Sequence, residues 1–169
     1  MKIIIKKAEK KDIPAIYEIT KEAFTKYAED LGQPNSVDAL FETYESIERD
    51  MMKKHVLVGF LDGEPVGSIR FEILPGNIAY ISRFGVKLNY QKCGMGRALM
   101  MTVEDACRKM GVSSLTLHTC SKMTDLMRFY YGLGYYVHST STSKGYIRAL
   151  LCKDLTDIYE VELGVVNIK

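Results

Sequence analysis

The 169-residue sequence lacks the features that mark several large classes of protein. Its four cysteines form no CxxC pair and no dense framework, which predicts reduced thiols rather than disulfides. Its three histidines are scattered and lack the spacing of metal ligands, so we predict no metal site.

Signals for membranes, secretion and nucleic acid are also lacking. No apolar run approaches the roughly 20 residues that cross a bilayer. Met1 and Lys2 lead into an apolar triplet that is too short for the core of a signal peptide. The formal net charge of +2 is too small to predict a nucleic-acid or membrane-surface partner. We therefore expect a cytoplasmic protein with neither kind of partner.

The composition is that of an ordinary globular protein, with 47% hydrophobic and 26% charged residues. No internal repeat or low-complexity linker divides it. We predict one domain over residues 1–169, with a tail at 156–169 that the pattern does not assign.

The hydrophobic pattern alternates between helix and strand spacing. It predicts a strand at 2–8, a helix capped by Asp12, and a second helix capped by Ser36. A three-stranded antiparallel meander follows at 55–61, 65–74 and 78–86, joined first by an Asp-Gly turn. A helix, a strand at 113–120, a shorter helix and a final hairpin complete the order.

The stretch "YQKCGMGRALM" lies between the third meander strand and the next helix. The first amides of a helix have no partner inside it and, with the helix dipole, favour an anion. Gly94 and Gly96 would let a phosphate approach the backbone, and Lys92 and Arg97 add positive charge. The stretch therefore predicts a phosphate site.

Three phosphate motifs compete for this stretch. The P-loop string GxxxxGK[ST] does not occur in the sequence. A dinucleotide fingerprint needs a third glycine where Leu99 stands, and it needs parallel strands rather than a meander. The pattern [QR]xxGx[GA] fits residues 91–96 completely. A structural strand-to-helix turn is the alternative interpretation.

With that motif, "ISRFGVKLNYQKCGMGRALM" and "RFYYGLGY" make the chain resemble the GNAT N-acetyltransferase superfamily from about residue 2 to 153. The resemblance implies an α/β (α+β) fold, with a mixed, mostly antiparallel sheet of six or seven strands flanked by about four helices. It implies acetyl-coenzyme A as cosubstrate and no metal. The pantetheine arm would pair with a strand edge at Phe84, Gly85 and Val86. The diphosphate would bind the backbone amides of seven consecutive residues, Gln91, Lys92, Cys93, Gly94, Met95, Gly96 and Arg97.

The resemblance also implies an acid for the departing thiolate. Tyr130 fits the family pattern YxxxG[FY] with Gly134 and Tyr135, and a phenol is protonated at neutral pH. A packing role is the alternative for Tyr130. Met123 stands where relatives carry an asparagine that touches the cofactor, so we expect backbone contacts alone there.

The general base is left open by the sequence. Some relatives carry a glutamate at the position of Tyr80, so this chain departs from that pattern. Glu72 on the preceding strand is the nearest candidate, with a solvent-facing charge or an ordered water as alternatives. His118 near the expected cleft could relay protons or be structural.

We expect the acceptor to be the primary amine of a small molecule, which attacks the thioester directly in a ternary complex. Glu29, Asp30 and Glu72 could attract a cationic amine. A peptide or protein acetyltransferase with an open groove is one alternative, and a non-catalytic module that binds acetyl-coenzyme A is another. A homodimer is possible.

Overall fold

The structure is a computed structural model that describes residues 1–156. The predicted tail therefore lies outside the described residues, apart from Thr156. The strands are β1 (Ile3–Lys7), β2 (His55–Leu61), β3 (Glu64–Leu74), β4 (Ile78–Val86), β5 (Ser114–Cys120), β6 (Tyr136–Ser141) and β7 (Arg148–Asp154). The helices in this part of the chain are α1 (Ile13–Leu31), α2 (Tyr44–Lys53), α3 (Met95–Lys109) and α4 (Thr124–Gly132).

The strands form one mixed sheet in the order β1-β2-β3-β4-β5-β7-β6. In the described residues β4 and β5 are parallel, and the other neighbouring pairs are antiparallel. The predicted fold class is confirmed, with seven strands rather than six. The meander is also confirmed, and β4 occupies the predicted residues.

The second helix begins later than the sequence predicts. Ser36 lies in a 3-10 turn, and a second such turn spans Asp38–Phe41. Helix α2 starts after Thr43, whose hydroxyl accepts the Ser46 amide at 3.1 Å while the Ser46 hydroxyl accepts the Thr43 amide at 2.8 Å. This reciprocal cap fixes the start of the helix, and Phe41 in the preceding 3-10 turn is 66% exposed.

The cap at Asp12 also differs from the prediction. The Asp12 carboxylate accepts the Glu9 amide at 2.8 Å and so closes a 3-10 turn at Lys10–Asp12. Helix α1 follows directly, with Pro14 in its first turn, where no amide donor is needed.

Helices cover both faces of the sheet. Ile16 of α1 and Ile47 of α2 pack with Val56 and Val58 of β2 in one buried cluster. The larger cluster holds residues of α3 and α4 with those of β3, β5 and β7, among them Leu99, Met127, Ile69, Leu115 and Leu151. Because side chains alternate along a strand, each face of the sheet receives its own layer of helices.

Two strands contain bulges. In β4, the pairs Ser68↔Gly85 and Arg70↔Ser82 leave two residues opposite Ile69, and one of them, Arg83, has a φ of 51°. In β6, the pairs Val137↔Leu151 and Ser139↔Leu150 leave His138 as an extra residue. Strand β6 lies at the edge of the sheet, and all six of its residues are exposed.

Over residues 1–156, none of the helices combines the length and apolar character that crossing a membrane requires.

Candidate active site

The cleft of this protein opens where two parallel strands separate. Strands β4 and β5 pair from Ile78↔Ser114 to Ile81↔Leu117 and no further. Beyond that point β4 pairs with β3 alone, and β5 pairs with β7 alone. The gap is part of a cleft of about 1080 Å³. The three residues predicted to pair with the pantetheine arm line it, and we call them the donor strand: Phe84, Gly85 and Val86. The Gln91 side-chain amide donates to the Val86 carbonyl at 3.3 Å.

The glycine turn presents free amides beside this cleft. Two of the seven predicted amides are already used, since Gln91 donates to Leu88 at 3.5 Å and Cys93 donates to Tyr90 at 3.3 Å. In the described part of the chain the other five donate to no protein acceptor: Lys92, Gly94, Met95, Gly96 and Arg97. They surround the start of α3, where the helix dipole favours an anion.

The two glycines of the turn are suited to their positions for different structural reasons. Gly94 has a φ of 92°, and no atom lies within 4 Å of where its Cβ would be, so the space beside it is open. A Cβ on Gly96 would lie 3.3 Å from Phe84 Cζ and 3.7 Å from Phe129 Cζ. Gly96 therefore allows α3 to approach the stacked rings of Phe84 and Phe129.

The side chains of the turn differ in what they can offer to a ligand. Met95 is fully buried in the core, so it can offer only its backbone to a ligand. Lys92 and Arg97 are exposed, and neither has a carboxylate within 4.0 Å among residues 1–156. The Cys93 thiol donates to the Tyr90 carbonyl at 2.8 Å and stabilises the turn. Of these residues, only Lys92 is in contact with the cleft.

Tyr130 lies against the donor strand inside the cleft. Its ring packs edge-on against Phe84, Phe129 and Tyr135, at centroid distances of 6.5, 5.3 and 5.9 Å. Its hydroxyl makes no hydrogen bond to the described residues, and burial raises its pKa above the ordinary value for tyrosine. The phenol therefore stays protonated at neutral pH.

The end of α4 holds Tyr130 in place. The Tyr135 amide donates to the Tyr130 carbonyl at 3.1 Å, and the Gly134 amide donates to Tyr131 at 3.0 Å. Lys153 donates to the Leu133 carbonyl at 2.6 Å and is paired with Glu104 at 2.9 Å. This lysine supplies a cation at the helix C-terminus, where the dipole favours one.

Met123 lines the cleft at the start of α4. Its amide donates to the Cys120 carbonyl at 3.2 Å, and its carbonyl accepts the Met127 amide at 3.0 Å. The backbone at Met123 is therefore already hydrogen-bonded within the protein.

A tyrosine–histidine pair lies where the strands separate, and sequence reasoning did not connect its members. The Tyr80 hydroxyl and His118 Nδ1 are 2.8 Å apart, and both residues line the cleft. Burial, and then the charge of Arg148, lowers the pKa of His118. Burial raises the pKa of Tyr80. At neutral pH the pair therefore consists of a neutral imidazole and a protonated phenol.

The structure does not bring Glu72 to the cleft. Its carboxylate is paired with Lys54 at 3.3 Å, and it is absent from the cleft lining. Tyr80 is paired opposite Glu72 in the sheet and lies on the side nearer to β5. Of the other carboxylates considered for attracting an amine, Asp30 lines the cleft but is paired with Lys26 at 2.7 Å, and Glu29 does not line it.

A buried ionic cluster supports the bulge of β4. Arg70 is fully buried and donates to Glu42 at 2.6 and 2.8 Å and to Asp50 at 2.8 Å. Arg83 in the bulge donates through Nε to the same Glu42 at 2.7 Å. Glu42 therefore neutralises two arginines and connects the bulge to the segment before α2.

Contacts between the β6–β7 loop and the α1–α2 region involve residues that line the cleft. Lys144 in the β6–β7 loop is paired with Asp38 at 3.0 Å. In the same loop the Gly145 carbonyl accepts the Gln33 side chain at 3.1 Å. The Tyr146 and Tyr27 hydroxyls are 3.4 Å apart. These three contacts, which we call the loop bridge, join the β6–β7 loop to the α1–α2 region.

Within the described residues, no group of three or more histidine, cysteine, aspartate or glutamate side chains is arranged to hold a metal ion.

The fold of this chain is similar to the folds of solved N-acetyltransferases. The PaiA N-acetyltransferase of Thermoplasma acidophilum, solved in complex with coenzyme A, superposes with a TM-score of 0.81 at 20% identity, covering 91% of this chain and 99% of that one. The ribosomal-protein-S18-alanine N-acetyltransferase of Escherichia coli gives a TM-score of 0.73 at 18% identity, covering 92% and 95% of the two chains.

The chain belongs to the acetyltransferase (GNAT) family, whose model matches residues 13–135. A Bacillus subtilis protein named as an acetyltransferase is 28% identical over 124 residues, which cover 73% of this chain and 76% of that relative. Family membership confirms the predicted enzyme class, acetyl-coenzyme A-dependent N-acetyltransferase, and the predicted cosubstrate.

Proposed function

We propose that this protein transfers the acetyl group of acetyl-coenzyme A to the primary amine of a small molecule. The observation that supports a small acceptor is the loop bridge. A peptide chain needs an open groove between the α1–α2 region and the β6–β7 loop, and here the Lys144–Asp38 pair and its two neighbouring contacts connect those segments.

The cosubstrate is bound mostly by main-chain groups in this proposal. The diphosphate lies on the free amides around Gly94, with Lys92 and Arg97 nearby. The pantetheine arm lies along residues 82–86, which have no strand partner on the β5 side. Because this edge offers N–H and C=O groups that are free of a neighbouring strand, apart from the Val86 carbonyl that accepts Gln91, the arm's amides can bind like an added strand.

The reaction is a direct displacement in a ternary complex. The amine nitrogen bonds to the thioester carbon, and the C–S bond breaks after charge has built on the carbonyl oxygen. A fixed main-chain N–H near Val86 stabilises that charge. Tyr130 donates its proton to the departing sulfur, for which its burial, free hydroxyl and position against Phe84 suit it. The second proton that the nitrogen loses on becoming an amide replaces the proton of Tyr130 by way of water.

We assign the base to His118 rather than to Glu72. The amine must lose a proton, since an alkylammonium has a pKa of about 10.4. Neutral His118 lines the cleft, and in the tautomer whose Nδ1–H donates to the Tyr80 hydroxyl at 2.8 Å its Nε2 accepts that proton directly or through a water. Glu72 is held by Lys54 outside the cleft.

Release of free thiol from acetyl-coenzyme A, followed over a panel of amines and peptides, tests this function. We expect turnover on small primary amines. Turnover on peptides alone would instead support a peptide or protein acetyltransferase. Saturable binding of acetyl-coenzyme A with no thiol released on any acceptor would support the non-catalytic module.

A further inference from the structure

Three polar side chains from three strands share one face of the sheet and line the cleft. Tyr80 of β4 is paired with Thr116 of β5, two residues from His118. On the other edge of β5, His118 is paired with Leu150 and Cys120 with Arg148. Paired residues, and residues two apart, point to the same side of a sheet. Tyr80, His118 and Arg148 therefore emerge together, and all three line the cleft.

Arg148 differs from the other cations around this part of the cleft. Lys26 is neutralised by Asp30, Lys144 by Asp38, and Arg83 by Glu42. Arg148 is half-buried, and no carboxylate among residues 1–156 lies within 4.0 Å of it. Lys122 also lacks such a partner, but it is exposed to water at the cleft margin.

An arginine in this position has unused binding capacity. A guanidinium presents a planar set of donors that matches a carboxylate in a two-pronged contact. Partial burial without a counter-ion costs free energy, which an anionic ligand would offset. The charge of Arg148 also acts on the proposed base, because it lowers the pKa of His118.

We propose that Arg148 binds a carboxylate on the acceptor, so that the substrate is a small molecule carrying both a primary amine and a carboxylate. This inference rests on the proposed function. It selects amino-acid-like acceptors over polyamines and plain alkylamines.

The strand register limits the distance between the two groups of the acceptor. Arg148 lies two residues along β7 from Leu150, the partner of His118, which is a displacement of about 7 Å at the usual rise of a strand. An amine hydrogen-bonded to His118 and a carboxylate hydrogen-bonded to Arg148 can span this displacement when only a few bonds separate the two groups. α-Amino and β-amino acids fit this spacing.

The test compares three matched sets of acceptors: amino acids, their carboxamides, and the amines that lack the carboxyl group. Spermidine and phosphoethanolamine are added to distinguish a polycation and a phosphate-bearing amine from a carboxylate. We expect the best kcat/KM among the amino acids. Arg148→Gln should raise their KM by about 10- to 100-fold, the loss expected for a charge-assisted contact, and leave the KM of carboxamides unchanged.

Matched variants make the result decisive. Arg148→Lys keeps the charge and should restore part of the affinity for amino acids. Arg49→Gln makes the same change at an exposed arginine of α2 outside the cleft and should alter nothing. Faster turnover of plain amines or spermidine than of amino acids would overturn the role of Arg148 but leave the proposed function intact. A preference for phosphoethanolamine would also overturn the carboxylate assignment. Thiol release on peptides alone would overturn both proposals.

Discussion

Replacing Glu42 with glutamine tests whether the buried ionic cluster stabilises the fold. The Glu42 side chain is 6% exposed and accepts three hydrogen bonds from Arg70 and Arg83, at 2.6 to 2.8 Å. Glutamine keeps the volume and removes the charge. Arg70, which is fully buried, would then keep only one carboxylate partner, Asp50, whose side chain is 24% exposed.

The expected magnitude follows from that geometry. Breaking a buried ion pair by removing one partner costs about 3 to 5 kcal/mol, because the remaining charge is left uncompensated. Since Asp50 still pairs with Arg70, we expect the lower value, about 3 kcal/mol. That is a large part of the roughly 5 to 15 kcal/mol by which proteins are stable. For a chain of this length it corresponds to a fall in Tm of about 6 to 12 °C.

Urea unfolding followed by circular dichroism measures the change in unfolding free energy, and a thermal scan measures the change in Tm. Glu45→Gln on α2 is the control, since Glu45 is exposed and outside every ion pair of the described chain. A loss below about 1 kcal/mol, within the range of surface ion pairs, would refute the reasoning that Glu42 compensates two arginines.

Three further predictions concern the cleft. Gly94→Val should abolish the binding of coenzyme A measured by calorimetry, because the side chain fills the open space at the turn. Gly111→Val is the control, since it places valine at a similar positive φ of 73° away from the cleft, and it should bind coenzyme A normally. Equal binding by both variants would contradict the turn assignment. Tyr130→Phe should lower kcat by about 100-fold and leave the coenzyme A affinity unchanged, and an unchanged kcat would remove Tyr130 from the acid's role. Because the pKa of His118 is lowered from the ordinary histidine value of about 6.5, kcat/KM should rise as the pH passes that lowered pKa and then level off. His118→Gln should remove this rise, and a rise that persists in the variant would assign it to another group.

The sequence predicts most of the fold because its signals are local. The Asp62-Gly63 turn, the alternation along β2 and β3, and the apolar spacing of α3 each depend on residues close in the chain. The predicted start of α2 was wrong because apolar residues from Val37 to Phe41 lie in or next to the 3-10 turn at Asp38–Phe41, which has approximately the spacing of a helix. The reciprocal cap at Thr43 and Ser46 decided the boundary instead.

The site was only partly predictable, because only some of its contacts depend on residues that are close in the chain. The donor strand and the glycine turn follow from a continuous stretch, and the donor strand lines the cleft together with Gln91 and Lys92 of the turn. Their role in binding remains a proposal. The contact between Tyr80 and His118 depends on the parallel register of β4 and β5, which no local signal specifies. The cluster of Arg70 with Glu42 likewise joins residues 28 positions apart. The capture of Glu72 by Lys54 depends on how α2 packs on the sheet.

The extra residue at His138 has a consequence for the behaviour of the protein at high concentration. An edge strand normally offers a regular row of amide and carbonyl groups on which a second chain can grow. The bulge in β6 interrupts the repeat of those groups and bends the strand, so an incoming strand cannot stay in register past the middle of this edge. The outer border of the sheet is thereby a poor template for fibrous self-association.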